Sequence, residues 1–509
     1  MAPTDQGLVE MFVIISDLHL TDGSAGATIS PGAFSLFAER LSELATSAGW
    51  RLDGRYRPID GLELLLLGDV LDVIRSSQWL AQDRVRPWSN PHSPEFVDVV
   101  SRITSDILRH NDEAVSLLRG VSAQGGITVP AADRMGRPAP GSPPVPVQVR
   151  TYYMVGNHDW MFHLRGGGYD LLRQAIARQM GLANAPGEPF AHDPAECDPL
   201  YQSMRRHRLF ARHGDVYDPF NFEGDRDASS LGDALVVELV TRFSATVEAE
   251  LAAELPPQLV LGLREIDNVR PVLLVPVWID GLLERTCSFT SQRKMVERTW
   301  DRLADEFLSL PLVRQRDTWN PNDLVDGLQR VLKFSKRLPT RWASAIVTWL
   351  SQQCGCGESS YFRHALAEQD FRNRRAKHIV FGHTHQAECV PLDASYAEAS
   401  VLDQVYFNSG TWRRVHRQTA LAPAEHEFIA SDVMTYLAFF QGDERGGRPY
   451  ESWSGTLGLA PSCVPIHRID AGRTSHATRQ PLSAPIVHTH APHFAPSTVG
   501  AGIVPRRRV

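Results

Sequence analysis

The sequence lacks the features of a disulfide-stabilised secreted domain and of a structural zinc module. It has six cysteines in 509 residues, and no two of them form a CxxC pair. The pair Cys354-x-Cys356 is too isolated to indicate a zinc site, so the pattern favours reduced thiols in a cytoplasmic protein. The N-terminus has no basic segment followed by a long apolar run, and we therefore expect no signal peptide.

Long apolar runs, a basic charge balance and internal repeats are also missing. The longest apolar stretch, 272–283, is interrupted by Asp280 and is too short to cross a bilayer. We therefore expect no transmembrane segment, which leaves contact with a membrane surface open. The chain has 52 Lys and Arg against 59 Asp and Glu, a net charge of −7. This balance disfavours a protein that binds nucleic acid by bulk charge, although a local basic groove would be compatible with it.

Five short apolar runs each end in polar residues that can bind metals. The polar blocks are Asp17-Leu18-His19, Gly68-Asp69 with Asp72, Gly156-Asn157-His158-Asp159, His213-Gly214-Asp215 and Gly382-His383-Thr384-His385. A short apolar run before a polar loop predicts a buried strand. Because open α/β folds place ligands at the carboxyl ends of their strands, we expect these five blocks to meet at one site.

The segments between these strands predict helices and one long loop. Apolar residues recur at helical spacing over 31–48 and over 96–118, which indicates helices that cover the sheet. Residues 122–147 are rich in glycine and proline and predict a long surface loop.

The motifs divide the chain into four parts. We predict a core in two pieces, 8–225 and 366–440, with a helical cap or insertion at 226–365 and a partly flexible tail at 441–509. The insertion contains none of the five blocks but has helical patterns, including 231–255 and 296–308. The tail is rich in Pro, Ser and His and is typical of a loosely structured segment.

The five blocks, in this order, resemble the calcineurin-like metallophosphoesterase superfamily. The resemblance covers roughly 11–225 and 366–415. It implies an α/β fold, a four-layer α/β/β/α sandwich that here carries a large helical insertion. It also implies two divalent metal ions, for which Mn²⁺ is our first expectation and Fe²⁺ or Zn²⁺ the alternatives. Carboxylate, amide and imidazole ligands suit such ions, and the absence of thiolate disfavours a structural zinc or iron–sulfur site.

The resemblance assigns a role to each motif residue. Asp17, His19 and His385 would bind one metal, Asn157, His213 and His383 the other, and Asp69 would bridge both. His158 would be a catalytic residue that binds no metal, either a proton donor to the leaving group or a stabiliser of transition-state charge. Asp72 and Asp159 would orient ligand imidazoles or brace the turns. Arg413 and Arg414 are candidate contacts for a substrate phosphate, with a solvated strand end as their alternative reading.

Departures from subfamily patterns narrow the choice of subfamily and therefore of substrate class. Asp72 is followed by Val73 and Ile74, which disfavours Ser/Thr protein phosphatases, and its carboxylate replaces the tyrosine of purple acid phosphatases. The first block and the His213 block are similar to UDP-2,3-diacylglucosamine pyrophosphohydrolases, which also insert a helical lid before the last block. Those enzymes usually carry arginine where His158 stands and are much shorter, so only a general relationship follows.

We therefore expect a metal-dependent phosphohydrolase that cleaves a phosphoester or pyrophosphate bond in a small phosphorylated or nucleotide-linked substrate. A nuclease acting on DNA or RNA is the alternative, and it would need an open basic groove. An inactive scaffold is a third reading. Scaffolds of this kind generally lose metal ligands, whereas every ligand position is filled here. The oligomeric state stays open.

Overall fold

The chain is a mixed α/β protein. A computed structural model describes residues 9–81, 85–270, 274–317, 324–335, 361–397, 400–419 and 427–457. Most of the predicted tail at 441–509 lies outside these ranges. Within the described residues, no helix is both long enough and apolar enough to span a bilayer.

Fourteen strands form two larger sheets and a small hairpin in the described residues. In chain order they are β1 Val9–Ile15, β2 Gly61–Leu67, β3 Ile127–Val129, β4 Ala131–Ala132, β5 Pro138–Ala139, β6 Val145–Met154, β7 Leu209–Ala211, β8 Val269–Arg270, β9 His378–Phe381, β10 Glu388–Ala397, β11 Ser400–Asn408, β12 Arg413–Gln418, β13 Phe428–Phe440 and β14 Tyr450–Thr456. The five strands predicted before the motif blocks are β1, β2, β6, β7 and β9, and all five are confirmed.

The larger sheet has the order β3-β6-β2-β1-β13-β12-β8, and β14 also pairs with β13. Strands β6, β2 and β1 are parallel to one another, whereas β13 runs antiparallel to β1. The second sheet has the order β10-β11-β9-β7, with β7, β9 and β11 parallel. In each sheet the strands that precede motif blocks are parallel neighbours, so their carboxyl ends and the blocks that follow lie at a common edge.

Helices are interspersed with the strands along the chain. The helices are α1 Gly32–Ala48, α2 Pro94–His110, α3 Asp112–Ser122, α4 Gly167–Met180, α5 Asp198–Arg206, α6 Leu231–Leu235, α7 Arg242–Leu251, α8 Pro257–Leu263, α9 Val275–Thr286, α10 Thr290–Ser309, α11 Pro311–Arg316, α12 Leu324–Ser335, α13 Tyr361–Ala365 and α14 Gln369–Arg372. A π-helical segment, Val236–Thr241, joins α6 to α7.

Two segments differ from their predicted structure. The helical pattern over 96–118 forms two helices, because Asn111 ends α2 and its side-chain amide donates to the carbonyls of Ile107 and Thr21. The segment 122–147 is not one irregular loop. It contains β3, which pairs with β6, and the β4–β5 hairpin, so the prediction of a long loop there was wrong.

Separate apolar clusters fill the layers of the core. One contains side chains of α1, α2, α3 and α4 together with side chains of β1, β2 and β6. A second joins the two sheets and includes Phe12, Leu65, Val380 and Phe407. A third packs Phe210 and other residues of the second sheet against α13. Both sheets therefore contribute side chains to the apolar cluster between them.

The predicted insertion has an apolar cluster of its own. The buried members of this cluster all lie between Leu231 and Leu332. Within the same stretch, β8 pairs in parallel with β12 and so extends the larger sheet by one strand. The insertion is therefore attached to the core sheet through backbone hydrogen bonds.

Candidate metal centre

The backbone is strained at three of the five strand ends, at the predicted ligands that follow β1, β2 and β9. Among the described residues, eight non-glycine residues have positive φ, and five of them are predicted metal ligands. These five are Asp17, His19, Asp69, His383 and His385. Left-handed backbone is unfavourable for residues with a Cβ atom and persists where the surrounding structure enforces it. Five such residues in one site indicate that the fold enforces an unfavourable backbone conformation in order to direct their side chains.

Backbone hydrogen bonds tie the strand-end loops to one another. The amides of Asp17 and His19 donate to the carbonyls of Gly68 and Asp69, at 3.1 and 2.9 Å. The amide of Gly382 donates to the carbonyl of His213 at 2.8 Å. The loops of the two sheets are joined as well, because the amide of His383 donates to Asp17 Oδ2 at 3.2 Å.

Glycines in the motif blocks leave room for ligands. A Cβ atom on Gly156 would overlap Asp69 Oδ1, and one on Gly382 would overlap Asp17 Oδ2. Gly156 and Gly382 do not have positive φ, so their role is space for a neighbouring carboxylate and not a special turn.

Four predicted ligands converge on one point. Asp17, His19, Asp69 and His385 are all buried, and each places one ligand atom within 4.8 Å of the others. His19 Nε2 lies 3.0 Å from His385 Nε2 and 3.7 Å from Asp69 Oδ2. His385 Nε2 lies 3.3 Å from Asp17 Oδ1. Two imidazoles and two carboxylates facing one point form a ligand set suited to a divalent metal.

A second group shares Asp69 with the first. Asp69, His213 and His383 place one ligand atom each within 4.8 Å of one another, and Asp69 Oδ2 lies 3.3 Å from His213 Nε2. The Nδ1 atom of His213 lies 3.0 Å from the carbonyl of Leu67, which leaves Nε2 directed towards Asp69. The structure thus gathers six of the seven predicted ligands into two groups that meet at Asp69.

Some predicted ligand atoms are among the buried side-chain atoms of the described residues that lack a hydrogen-bond partner. Asp17 Oδ1, Asn157 Oδ1 and His213 Nε2 are buried and have no hydrogen-bond partner. Buried polar atoms without partners are rare in folded proteins and costly. Asn157 is the seventh predicted ligand, and its Nδ2 donates to Asn221 Oδ1 at 3.2 Å, which directs Oδ1 away from that bond. The donor set therefore fits metal binding.

Burial is the largest influence on the ionisable groups of the first group. It raises the pKa of Asp17 to about 6, and it lowers the pKa of His19 to about 3, where the charge of Arg413 adds to the effect. Burial and then Arg270 lower the pKa of His385. The neutral imidazoles retain the lone pairs that a metal needs, and a bound cation would stabilise the ionised Asp17 carboxylate.

Asp72 connects two imidazoles. Its Oδ2 atom lies 2.7 Å from His19 Nδ1, and its Oδ1 atom lies 2.7 Å from His158 Nδ1. His158 is partly exposed at the edge of the site, and its backbone amide donates to Asp69 Oδ1 at 2.8 Å. Burial lowers the pKa of His158, but the negative charges of Asp72 and Asp69 outweigh burial and raise it to about 9. The imidazole is thus oriented and favoured in its protonated form.

Asp159 braces the loops. Its Oδ1 atom accepts the amide of Gly156 at 2.6 Å, and its Oδ2 atom accepts the amide of Val70 at 2.9 Å and the hydroxyl of Tyr153 at 2.5 Å. These bonds join the loop that follows β2 to the loop that follows β6. Asp159 contacts none of the ligand side chains in these bonds, so its position is that of a structural brace.

Buried arginines lie beside the first group. Arg413 is 2% exposed, and its Nε donates to Asn268 Oδ1 at 3.0 Å. Arg75 is equally buried, and Asp267 Oδ2 lies 2.6 Å from Arg75 Nε and 3.3 Å from Arg413 Nη2. The pKa of Arg413 falls to about 9, because burial and the charge of Arg75 disfavour its cation. A single carboxylate, Asp267, is therefore shared by two buried guanidinium groups.

The insertion contacts a predicted ligand directly. Arg270 Nη2 lies 2.9 Å from His385 Nδ1. Because a guanidinium group can only donate, this contact places the ring proton of His385 on Nε2. Binding of a metal through Nε2 would require this contact to change.

The two predicted substrate arginines lie in different surroundings. Arg413 is buried beside the first group, as described above. Arg414 lies on the partly exposed side of β12, and its Nε is 2.9 Å from Asp432 Oδ1 on β13. The structure therefore places Arg413 at the site, whereas Arg414 pairs with Asp432 on the neighbouring strand.

Besides Arg270, four residues that contribute to the site were missed in the sequence. Asp218 Oδ2 lies 3.0 Å from His383 Nε2, and Asn221 contacts Asn157. Asp218 follows the His213 block by a few residues, so a search for carboxylates just beyond each block would have found it. Arg75 and Asp267 are separated by almost two hundred residues, and no local signal in the sequence joins them.

Comparison with protein-family models and with curated protein sequences finds no match to this chain. The assignment of a function therefore rests on the residues and their geometry.

Proposed function

We propose that the protein is a metal-dependent phosphohydrolase of the calcineurin-like metallophosphoesterase type. The observation that carries the proposal is the coincidence of three unusual properties in one place. Six of the seven predicted ligands converge in two groups that share Asp69, five of the seven lie on strained backbone, and three ligand atoms are buried without a hydrogen-bond partner. The apolar clusters, one between helices and the larger sheet, one between the two sheets and one beyond the second sheet, support a four-layer arrangement.

In this proposal Asp17, His19, Asp69 and His385 hold one divalent ion, and Asp69, Asn157, His213 and His383 hold the other. When bound, such ions would supply an activated water and stabilise the charge on the phosphoryl oxygens. Asp69 carries the negative charge shared by both positions, and Asp72 fixes the ring of His19 through Nδ1 so that Nε2 points into the site.

His158 is proposed to donate the proton to the leaving group. Its ring is oriented by Asp72 and lies 4.8 Å, between ring centroids, from the ring of His19, at the partly exposed edge of the first group. A protonated imidazole at that edge can reach a leaving oxygen without occupying a ligand position.

The surroundings favour a small substrate over a nucleic acid. Arg413 and Arg75 are buried, and the insertion places Arg270 against His385. Guanidinium groups beside the centre add positive charge that suits a compact phosphorylated anion, whereas a nuclease needs an open groove that follows a nucleic-acid strand. The net charge of −7 supports the same choice.

The proposal is tested with a panel of phosphomonoesters, phosphodiesters, nucleoside diphosphate sugars and single-stranded DNA in the presence of Mn²⁺. We expect release of phosphate or a nucleoside monophosphate from small substrates and loss of the activity on chelation. Activity that survives exhaustive chelation would contradict the metal mechanism. Cleavage of DNA alone would favour the nuclease.

A further inference from the structure

A third group of metal-capable side chains uses none of the residues of the candidate centre. His163, His192 and Asp227 each place one nitrogen or carboxylate oxygen within 4.8 Å of the others. The three residues come from separate segments of the chain. His163 ends the turn after the Asn157 block, His192 precedes α5, and Asp227 lies just before α6. Their meeting is therefore a product of the fold and not of local sequence.

His192 is the residue that points to a ligand. It is 2% exposed and both of its ring nitrogens are buried; the backbone of Arg226 lies near the ring, but neither nitrogen has a hydrogen-bond partner of good geometry. Its ring centroid lies 4.4 Å from the ring centroid of His163. A buried imidazole nitrogen whose lone pair has no partner is costly, because that lone pair is withdrawn from water without replacement. A metal ion bound to one nitrogen would satisfy that lone pair.

The carboxylates around His163 supply the charge and the orientation that a cation site needs. Asp227 Oδ1 lies 2.6 Å from His163 Nδ1, and Glu196 Oε2 lies 3.6 Å from His163 Nε2. Glu196 is itself held in place, because its Oε2 accepts the amides of His192 and Asp193 at 2.8 and 3.3 Å. The nearby Arg226 is paired with Asp215 at 3.2 Å, and after burial its positive charge is the largest influence that keeps the His192 imidazole neutral by lowering its pKa. A second carboxylate that orients a ligating imidazole is a common feature of metal sites.

We propose that His163, His192 and Asp227 bind a divalent cation of the zinc class, with Glu196 as the residue that positions His163. Two imidazoles and one carboxylate form a frequent zinc ligand set, with water in the remaining position. The side chain of Asp227 is 45% exposed, which leaves one side of the site accessible to that water.

The bound cation would fasten the start of the insertion to the core. Asp227 belongs to the segment that leads into α6, whereas His163 and His192 belong to core loops. A hydrogen bond already joins the core to the insertion nearby, because Trp160 Nε1 donates to Asp233 Oδ2 at 3.3 Å. A metal bond at this point would fix the direction in which the chain leaves the core.

The inference is independent of the proposed function, and the test separates the two. The Asp69→Asn chain, in which the two-metal centre is expected to be lost, is dialysed against Zn²⁺, and bound metal is counted by mass spectrometry. We expect one equivalent per chain to remain, and His192→Asn in the same background to remove it. His378→Asn is the matched control, because His378 is also buried, at 4% exposure, and belongs to none of the metal-capable groups.

A second measurement distinguishes the loss of metal binding from unfolding of the variant. Zn²⁺ should raise the Tm of the Asp69→Asn chain and leave the Tm of the Asp69→Asn/His192→Asn chain unchanged, since an ion stabilises only a folded chain that binds it. If Asp69→Asn does not fold, the loss is measured from three equivalents to two in the otherwise wild-type chain. Retention of the equivalent in His192→Asn, or its absence from Asp69→Asn, would overturn the inference. A single equivalent in the wild type that Asp69→Asn leaves in place would support the inference while contradicting the two-metal centre.

Discussion

The core loops and the insertion contribute to the candidate centre in different ways. The core loops supply every predicted metal ligand, each directly after a short buried strand and several on strained backbone. The insertion supplies no predicted ligand, yet Asp267 pairs with two buried arginines and Arg270 contacts His385. The core therefore supplies the candidate ligands, and the insertion adds charged side chains beside them. Predictions that separate metal binding from these surroundings test this division.

The largest effect is expected at Asp69. Asp69→Asn removes the one carboxylate shared by both ligand groups. Hydrolysis should therefore be abolished, and both metals of the centre should be lost. Steady-state assays with Mn²⁺ and metal analysis of the purified chain measure both effects. Asp60→Asn, a carboxylate outside the metal-capable groups, is the control. Retention of full activity in Asp69→Asn would refute the bridging role.

A smaller loss is expected at His158. His158→Asn should lower kcat by roughly 10²–10⁴-fold, the range usual for loss of a general acid, with both metals retained. The loss should shrink for substrates whose leaving group needs no proton. If the metals are lost with the activity, His158 is a ligand and the proposed role is wrong.

Removal of Asp267 should affect stability more than chemistry. Asp267→Asn leaves Arg75 and Arg413 without their shared carboxylate in a buried position, which costs about 3–5 kcal/mol for a broken buried pair. Chemical denaturation measures the free energy of unfolding. Replacement of Asp432, which pairs with the partly exposed Arg414, is the comparison. Equal losses of unfolding free energy in both variants would mean that the pairing of Asp267 with the buried arginines stabilises the fold no more than a partly exposed pair does.

The smallest effect is expected at Arg414. Arg414→Ala breaks only a partly exposed pair with Asp432, so the free energy of unfolding should fall by about 1 kcal/mol or less. The KM of the Arg414→Ala variant should also change little, because Arg414 pairs with Asp432 on the neighbouring strand and does not lie among the ligands. A large rise in KM would restore Arg414 as a substrate contact.

The strands and the site were predictable because their signals are local. Each strand before a block is a continuous apolar run, and each block contains its ligands within a few residues. The break at Asn111 was not predicted, because the apolar pattern of 96–118 continues through it and only the side-chain bonds of Asn111 end α2. The hairpin in 122–147 was hidden by its glycines and prolines. The pairing of Arg75 with Asp267, and the cluster of His163, His192 and Asp227, depend on how distant segments pack, which no local pattern encodes.

Diffraction from crystals grown with Mn²⁺, recorded for the anomalous signal of manganese, tests the central claim most directly. We expect two peaks roughly 3.5–4 Å apart, both in contact with Asp69, one also with His19 and the other with His213. A single peak, or peaks that do not touch Asp69, would contradict the proposed two-metal centre.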